Sequence, residues 1–134
     1  MTVAYVESSA LVKLAVRELE TLELRAALAS HEHVVSSALS TVEVTRVAWR
    51  ANGEPGIVRA RAALLNVNTI PIDWRTIDAS SRLAPPSLRS LDAIHVATAL
   101  GFVEDGVVFY SYDRRALEAA RTAGLAVKSP GAPS

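Results

Sequence analysis

A chain of 134 residues, half of them hydrophobic, is long enough to bury one sizeable core and too apolar to be a disordered protein. It contains no Cys, which excludes disulfides and thiolate metal sites and favours a reducing, cytoplasmic location. The formal net charge is zero, from 14 basic and 14 acidic residues, which argues against a simple nucleic-acid-coating module but not against a nuclease whose metal site uses acidic residues.

The N-terminal segment carries Glu7 and Lys13 within its apolar runs, so we predict neither a signal peptide nor a membrane-spanning segment. Residues 2–6 are predicted to form a strand, after which Ser8 and Ser9 are expected to cap a helix, a role we favour over that of a nucleophile.

Along the rest of the chain, strands and helices continue to alternate. Apolar, β-branched runs predict further strands at residues 33–36, 68–72, 107–110 and 125–128. Helical periodicity and capping residues predict helices at residues 8–17, 19–30, from Ser37 or Ser40 to 51, 57–65, 74–83, 90–102 and 114–123. Pro71 places the strand at 68–72 near an edge of its sheet.

This alternation predicts an α/β fold, in which a parallel sheet is covered by helices on both faces and connected by right-handed crossovers. Residues 1–128 are predicted to form a single domain, and residues 129–134 (SPGAPS) a loose C-terminal tail. In such sheets the carboxyl ends of the strands share one edge, where sites form. Side chains that directly follow strands are therefore candidates for function.

Four of the acidic side chains lie in apolar sequence, where an unpaired charge is costly to bury: Glu7, Glu43, Asp92 and Asp113. Glu7 follows the first strand, and Asp113 follows the strand at 107–110. Each also has an ordinary interpretation. Glu7 suits the first turn of a helix because of the helix dipole, and Asp113 suits a helix N-cap, as does Asp73 after the strand at 68–72.

Glu43 is flanked by valines and Trp49 nearly all round its helix, which predicts that the helix is buried. The alternative is an ordinary ion pair with Arg46, three residues further on. Asp92, His95 and Thr98 form a narrow polar stripe on an otherwise apolar helix, which is typical of a face turned to a cavity or partner. The alternatives are that Asp92 belongs to the first turn after Ser90 and that His95 is a satisfied, partly buried residue.

Four carboxylates drawn together would repel one another unless a cation neutralised them, and oxygen ligands suit Mg²⁺ or Mn²⁺. A divalent ion held in this way is a standard means of hydrolysing phosphodiesters. The chain has no phosphate-binding glycine motif and no nucleophile elbow. His31 and His33 are predicted to be surface residues.

Four segments in order resemble the VapC-type toxins of the PIN-domain superfamily: YVESSALVKL, SSALSTVEVTR, LRSLDAIHVATAL and FYSYDRRAL. The resemblance covers residues 2 to about 128. It implies a PIN-like three-layer α/β/α sandwich with about five parallel strands, and a Mg²⁺- or Mn²⁺-dependent endoribonuclease that cleaves structured RNA, such as tRNA or ribosomal RNA. It also implies a homodimer held inactive by a cognate VapB-type antitoxin.

In the family pattern, Glu43, Asp92 and Asp113 match acidic positions. With Glu7 they are the predicted catalytic residues, and Glu7, Asp92 and Asp113 are the predicted metal ligands. The neighbours expected beside the metal or the substrate are Ser8, Arg46, Arg89, His95 and Ser111.

Glu7 departs from the family, in which this position is ordinarily Asp. Its extra methylene adds about 1.3 Å of reach, and Mg²⁺ tolerates displaced ligands poorly. An alternative function is therefore a catalytically weakened PIN domain that binds RNA or antitoxin without efficient cleavage. A third interpretation, a flap-type DNA nuclease or other metal phosphoesterase, is disfavoured by the short chain.

Overall fold

The computed structural model describes residues 2–133, which form five strands and seven α-helices. In chain order these are β1 (Val3–Val6), α1 (Ser8–Ala15), α2 (Thr21–Leu28), β2 (His33–Ser37), α3 (Leu39–Asn52), α4 (Glu54–Leu64), β3 (Asn68–Ile70), α5 (Trp74–Ser81), α6 (Ser90–Leu100), β4 (Val107–Tyr110), α7 (Arg114–Thr122) and β5 (Ala126–Lys128). A short 3-10 turn at Val103–Asp105 precedes β4. None of these helices is long and apolar enough to cross a membrane.

The five strands form one parallel sheet in the order β3-β2-β1-β4-β5. β1 is central and wholly buried, and its alternate residues supply two separate cores, as the two-residue period of a strand requires. Ala4 and Val6 pack into the core beneath α1, α2 and α3, whereas Val3 and Tyr5 pack into the core beneath α6 and α7. The predicted three-layer α/β/α architecture is therefore confirmed.

The register aligns the carboxyl ends of the strands. Val6 pairs with Tyr110, and Tyr110 pairs with Lys128. The backbone hydrogen bonds continue one residue past the strand ends, from Glu7 N to Tyr110 O (3.0 Å) and from Ser111 N to Lys128 O (3.2 Å). Glu7 and Ser111 consequently lie side by side at the edge where parallel sheets form sites.

α3 and α4 join with almost no linker. Gly53 ends α3 with a φ of 63°, and Pro55 lies in the first turn of α4, which begins at Glu54, three residues before the predicted start. A Cβ atom on Gly56 would lie 2.0 Å from the carbonyl oxygen of Ala48. The two helices therefore meet through bare backbone, which only Gly allows at this position.

The burial predicted for α3 is wrong in part. Val44 and Ala48 are buried, but Val42 and Trp49 are 58% and 49% exposed. The apolar residues surround the helix more widely than the core of one chain can cover, so the outer side chains face solvent. By contrast β3 lies at the edge of the sheet as predicted, and it ends at Ile70, directly before Pro71.

The described part of the segment after β5 contacts the domain. Ser129 Oγ donates to Ser111 O (2.6 Å), and Tyr112 OH donates to Pro130 O (2.7 Å). A Cβ atom on Gly131 would lie 3.1 Å from Glu23 Oε2, so this glycine passes close to α2. The division of the chain at residue 128 and the looseness of the tail stay predictions.

Candidate active site

Glu7 directly follows β1 and forms the N-cap of α1, a role predicted for Ser8 and Ser9. The carboxylate does the capping because its Oε1 accepts from Ser9 N at 3.1 Å. The same oxygen accepts from Ser9 Oγ at 2.5 Å and from Ser111 Oγ at 2.7 Å. Three hydrogen bonds thus orient a carboxylate that is only 6% exposed.

Ser111 joins Glu7 to Asp113. Its hydroxyl donates to Glu7 and accepts from Asp113 N at 3.0 Å, while Tyr112 N donates to Ser9 Oγ at 2.8 Å. Asp113 caps α7 by accepting from Arg115 N at 2.9 Å, which is its ordinary predicted role. We refer to Glu7, Ser9, Ser111 and Asp113 as the Glu7 cluster.

Glu43 extends from α3 to a second set of partners. Its Oε1 accepts from Ser8 Oγ and from His95 Nε2, the latter at 2.8 Å. Although burial alone would raise the pKa of Glu43, the hydrogen bonds from His95 and Ser8 hold it below its usual value. Glu43 therefore carries its charge at neutral pH.

Tyr5 lies behind His95 and fixes the ring. Tyr5 OH lies 2.6 Å from His95 Nδ1 and accepts from Ser37 N at 3.2 Å. Burial raises the pKa of Tyr5 well above its usual value, so the phenol keeps its proton and donates it to Nδ1. We assign the His95 proton to Nε2, where it is donated to Glu43. We refer to Tyr5, His95, Ser8 and Glu43 as the Glu43 relay.

Asp92 lies in the first turn of α6 and is 6% exposed. Arg89, which immediately precedes the helix, places its Nε 3.5 Å from Asp92 Oδ2. Beside this pair opens a cavity of about 340 Å³, whose polar lining includes Arg89, Asp92, Arg115 and Glu118. Asp92 thus lines an open cavity together with cationic side chains.

The PIN-domain family model matches residues 4–122 of this chain. The chain belongs to the PIN-domain family. Over 130 residues it is 43% identical to ribonuclease VapC46 of Mycobacterium tuberculosis strain H37Rv, covering 97% of this chain and 99% of that protein. It is 39% identical over 133 residues to ribonuclease VapC47 of strain CDC 1551, covering 96% of this chain and 97% of that protein. Within the PIN-domain family it is grouped with the VapC ribonucleases, as its four sequence segments predict.

Solved structures agree on the fold. VapC20 of Mycobacterium tuberculosis, described as a sarcin-ricin loop cleaving toxin, aligns with a TM-score of 0.68 at 18% identity over 87% of this chain and 94% of that chain. A chain of a toxin-antitoxin complex from Klebsiella pneumoniae aligns with a TM-score of 0.70 at 24% identity over 95% and 97% of the two chains. At these identities, the similarity establishes the PIN fold alone.

The four acids of this PIN domain provide suitable donors for a hard divalent cation. Each uses one carboxylate oxygen within the protein: Glu7 Oε1, Glu43 Oε1, Asp92 Oδ2 and Asp113 Oδ1. Among residues 2–133 the second oxygen of each has no hydrogen-bond donor, and none is a buried atom without a partner. Each of these second oxygens therefore keeps some contact with solvent, although Glu7 and Asp92 are buried as whole residues.

The donor set is not a closed cage. Within the part of the chain that the structure describes, no three acidic or histidine side chains are grouped closely enough to hold a metal ion together. Mg²⁺ usually keeps several waters and binds one or two carboxylates directly, so its requirements do not include such a cage. The donor chemistry fits the cation that the family implies, and the direct ligands stay a prediction.

The other predicted neighbours differ in their placement. Ser8, Ser111 and His95 contact the predicted acids, as described above. Arg46 is exposed, and the alternative Glu43–Arg46 ion pair is wrong because Glu43 is bound by His95 and Ser8 instead. Thr98, the third member of the predicted polar stripe, donates to Ile94 O in its own helix.

Sequence reasoning missed three site residues and misplaced one histidine. Tyr5 resembled an apolar strand residue, and Ser9 resembled a helix cap. Ser40, which lies 2.7 Å from Ser36 Oγ and 3.4 Å from Ser8 Oγ, was predicted only as a possible helix start. His31 was predicted at the surface but is half-buried, with its Nε2 2.6 Å from Tyr110 OH.

Proposed function

We propose that this chain is the toxin of a type II toxin-antitoxin pair, a metal-dependent endoribonuclease that hydrolyses phosphodiester bonds of a structured RNA, tRNA or ribosomal RNA. The placement of Glu7 and Asp113 on either side of Ser111, with Glu43 bound to the neighbouring Ser8, at one edge of a PIN-family sheet supports it most directly. The relatives named VapC46 and VapC47 are ribonucleases at about 40% identity, which supports the reaction class.

The cation is proposed to be Mg²⁺ or Mn²⁺, with Glu7, Asp92 and Asp113 as its carboxylate ligands, bound directly or through the waters that such an ion retains. When bound, it supplies orientation of the phosphate, a more acidic water and stabilisation of developing negative charge. Glu43 is proposed to act beside it as an ionised acceptor for a proton. The relay from Tyr5 keeps the ring of His95 directed at that carboxylate.

The chain's own residues also provide contacts for an anionic substrate. Arg89 and Arg115 line the cavity beside Asp92, and a guanidinium is well shaped to bind a phosphate group. Arg46 lies on α3 one turn from Glu43 and is exposed, so it is available to an RNA strand. These three arginines are proposed to position RNA rather than to take part in proton transfer.

The proposed protein partners are a cognate VapB-type antitoxin and a second copy of the chain. A chain that aligns along 97% of its length comes from a toxin-antitoxin complex, which supports an antitoxin partner. Val42, Trp49 and Trp74 are exposed apolar side chains that a homodimer could cover. Binding of the antitoxin is proposed to hold the nuclease inactive.

One observation favours a second candidate, a PIN domain that binds RNA or antitoxin but cleaves weakly. Glu7 stands where the family ordinarily has Asp, and its Oε1 is fully used by Ser9 and Ser111. If this arrangement keeps Glu7 from a cation, binding survives while turnover falls.

The deciding experiment is cleavage of a pool of total tRNA and ribosomal RNA by the purified, antitoxin-free chain with Mg²⁺ or Mn²⁺. We expect discrete products that disappear with EDTA and in the variant Asp92→Ala. The control is Asp105→Ala, which removes an exposed acidic residue from the turn before β4 and should cleave RNA like the wild type. A folded, Mn²⁺-binding chain that gives no products would refute the nuclease and support the second candidate.

A further inference from the structure

A second cavity, of about 470 Å³, lies on the outer side of α7 and β5. Its lining combines Tyr112 and Val127 with three cationic side chains: Arg114, Arg121 and Lys128. The segment after β5 closes one wall, and that wall is tied to the domain by the bonds from Ser129 Oγ to Ser111 O and from Tyr112 OH to Pro130 O. The cavity is therefore a built feature of the fold.

The three cationic side chains of this cavity form no ion pairs with other described residues. Among residues 2–133, none of Arg114, Arg121 and Lys128 has an acidic side chain within ion-pair distance. Glu118, the acidic residue of α7, lines the other cavity, beside Asp92. A chain with no net charge thus concentrates three cations in one place, which is the electrostatic pattern of a surface for an anion.

The cavity adjoins the candidate active site. Ser111 Oγ donates to Glu7 at 2.7 Å. The backbone N of the same serine donates to Lys128 O at 3.2 Å, so Lys128 lies on the strand next to it. Arg114 directly follows Asp113 at the start of α7. The cavity therefore lies next to the edge over which a scissile phosphate would bind, within reach of neighbouring phosphates of the same strand.

The chemistry of the lining favours the sugar-phosphate backbone over the bases. Lys13 Nζ lies 4.6 Å from the centre of the Tyr112 ring, and Tyr112 OH is bonded to Pro130 O, so this ring does not offer a free stacking surface. Arginine forks and a lysine point charge are the usual partners of phosphate oxygens, and such contacts position a strand without reading its sequence.

We propose that Arg121 and Lys128, together with Arg114, form a backbone subsite that binds phosphates of the RNA flanking the cleaved bond. The proposal rests on the proposed ribonuclease function, because the subsite would bind that enzyme's RNA substrate outside the reacting centre. Because each neutralised phosphate of a single strand contributes about 0.7 to the slope of log affinity against log salt, removal of two contacts should lower that slope by about 1.4.

The test uses the full chain in EDTA with a labelled single-stranded RNA of mixed sequence, about twelve nucleotides long, within the usual site size of single-strand binders. The variant Arg121→Gln/Lys128→Gln is compared with Arg50→Gln/Arg61→Gln, which removes the same charge from exposed positions on α3 and α4. Thermal melts establish that both are folded. We expect weaker binding and the lower salt slope in the first variant alone.

Binding in EDTA is independent of turnover, so the two proposals can fail separately. If the wild type does not cleave RNA but the first variant alone binds RNA more weakly, the subsite is supported and the nuclease proposal fails. If the wild type cleaves RNA but the salt slope of RNA binding is the same in the wild type and the first variant, the subsite proposal fails and the nuclease stands. Equal losses of RNA affinity in both double variants, or no RNA binding by the wild type, would each overturn the proposed subsite.

Discussion

The Glu7 cluster and the Glu43 relay lie at the same edge of the sheet but hold their carboxylates by different means. In the Glu7 cluster the donors come from the next turn of the chain and from the end of the neighbouring strand, and Glu7 doubles as a helix cap. In the Glu43 relay, buried Tyr5 hydrogen-bonds to buried His95, 90 residues away in sequence, and His95 in turn hydrogen-bonds to Glu43. One carboxylate is placed by local geometry and the other by tertiary packing.

This difference predicts how far the structural effect of a substitution extends. A substitution in the Glu7 cluster should alter the orientation of one carboxylate and leave the core intact. A substitution in the Glu43 relay should leave several buried polar groups without partners, and each such group costs about 1–3 kcal/mol of folding free energy. The variants below test that distinction, beginning with the largest expected effect.

Replacement of His95 by Ala should cause the largest loss of stability. It removes a buried ring and leaves Tyr5 OH and Glu43 Oε1 without that partner. We expect the free energy of unfolding, measured by urea denaturation, to fall by about 3 kcal/mol or more. His33→Ala, at an exposed position of β2, is the control and should change it little. A loss no larger than that of the control would mean that the relay does not stabilise the fold.

Replacement of Ser111 by Ala should mainly weaken the binding of the cation. The hydroxyl orients Glu7 and accepts from Asp113 N, so it supports two predicted ligands at once. Residues of this kind typically change metal affinity by about 10–100-fold. We expect calorimetric titration with Mn²⁺ to show a loss in that range, with Ser81→Ala, on the exposed face of α5, as the control. An unchanged Mn²⁺ affinity would contradict the assignment of Glu7 and Asp113 as ligands.

The pKa of Glu43 supplies a pH test of the relay. Because hydrogen bonds from His95 and Ser8 outweigh burial and lower this pKa, the charged carboxylate stabilises the folded state above its ordinary value of 4.5. That contribution is lost as the pH falls through the lowered folded value. Glu43→Gln should therefore be less stable than the wild type at neutral pH, and the two unfolding free energies should converge in acid.

The control for this pH test is Glu104→Gln, which changes an exposed carboxylate outside the relay. Its difference from the wild type should stay small across the same pH series. A Glu43→Gln difference that is constant with pH would show that the charge of Glu43 is not what stabilises the fold.

The same local-versus-tertiary distinction explains what the sequence could predict. Strand and helix positions follow from periodicity and caps, so all five strands were predicted, and the parallel register then places Glu7 next to Ser111 without further information. The contact of Ser111 with Glu7 is a direct consequence of the topology. The Glu7 cluster could therefore be anticipated from residues that directly follow strands.

The Glu43 relay could not be anticipated in this way. Tyr5 and His95 are 90 residues apart, and nothing in the strand sequence TVAYV marks its tyrosine as a hydrogen-bond partner. Sequence spacing instead suggested Arg46 as an alternative partner of Glu43, because neighbours on one helix can be identified from the sequence. Which of two possible partners a carboxylate takes depends on how α3 and α6 pack, and periodicity alone does not specify that packing.

Replacement of Glu7 by Asp is the mildest variant and the one that bears most directly on the family's usual residue. Asp retains the charge and is a favoured N-cap, so the bond from Ser9 N should persist. The carboxylate retreats by one methylene, and its bond to Ser111 Oγ weakens, which should cost about 1 kcal/mol or less of unfolding free energy. We expect Mn²⁺ affinity and RNA cleavage to stay close to the wild type, because the substitution retains the charge and a carboxylate that Ser9 N orients. A large gain in cleavage would instead show that the longer side chain holds the site below its capacity, and would favour the weakly cleaving domain over the efficient nuclease. Glu23→Asp, which shortens an exposed glutamate of α2 by the same methylene, measures what that change costs outside the site.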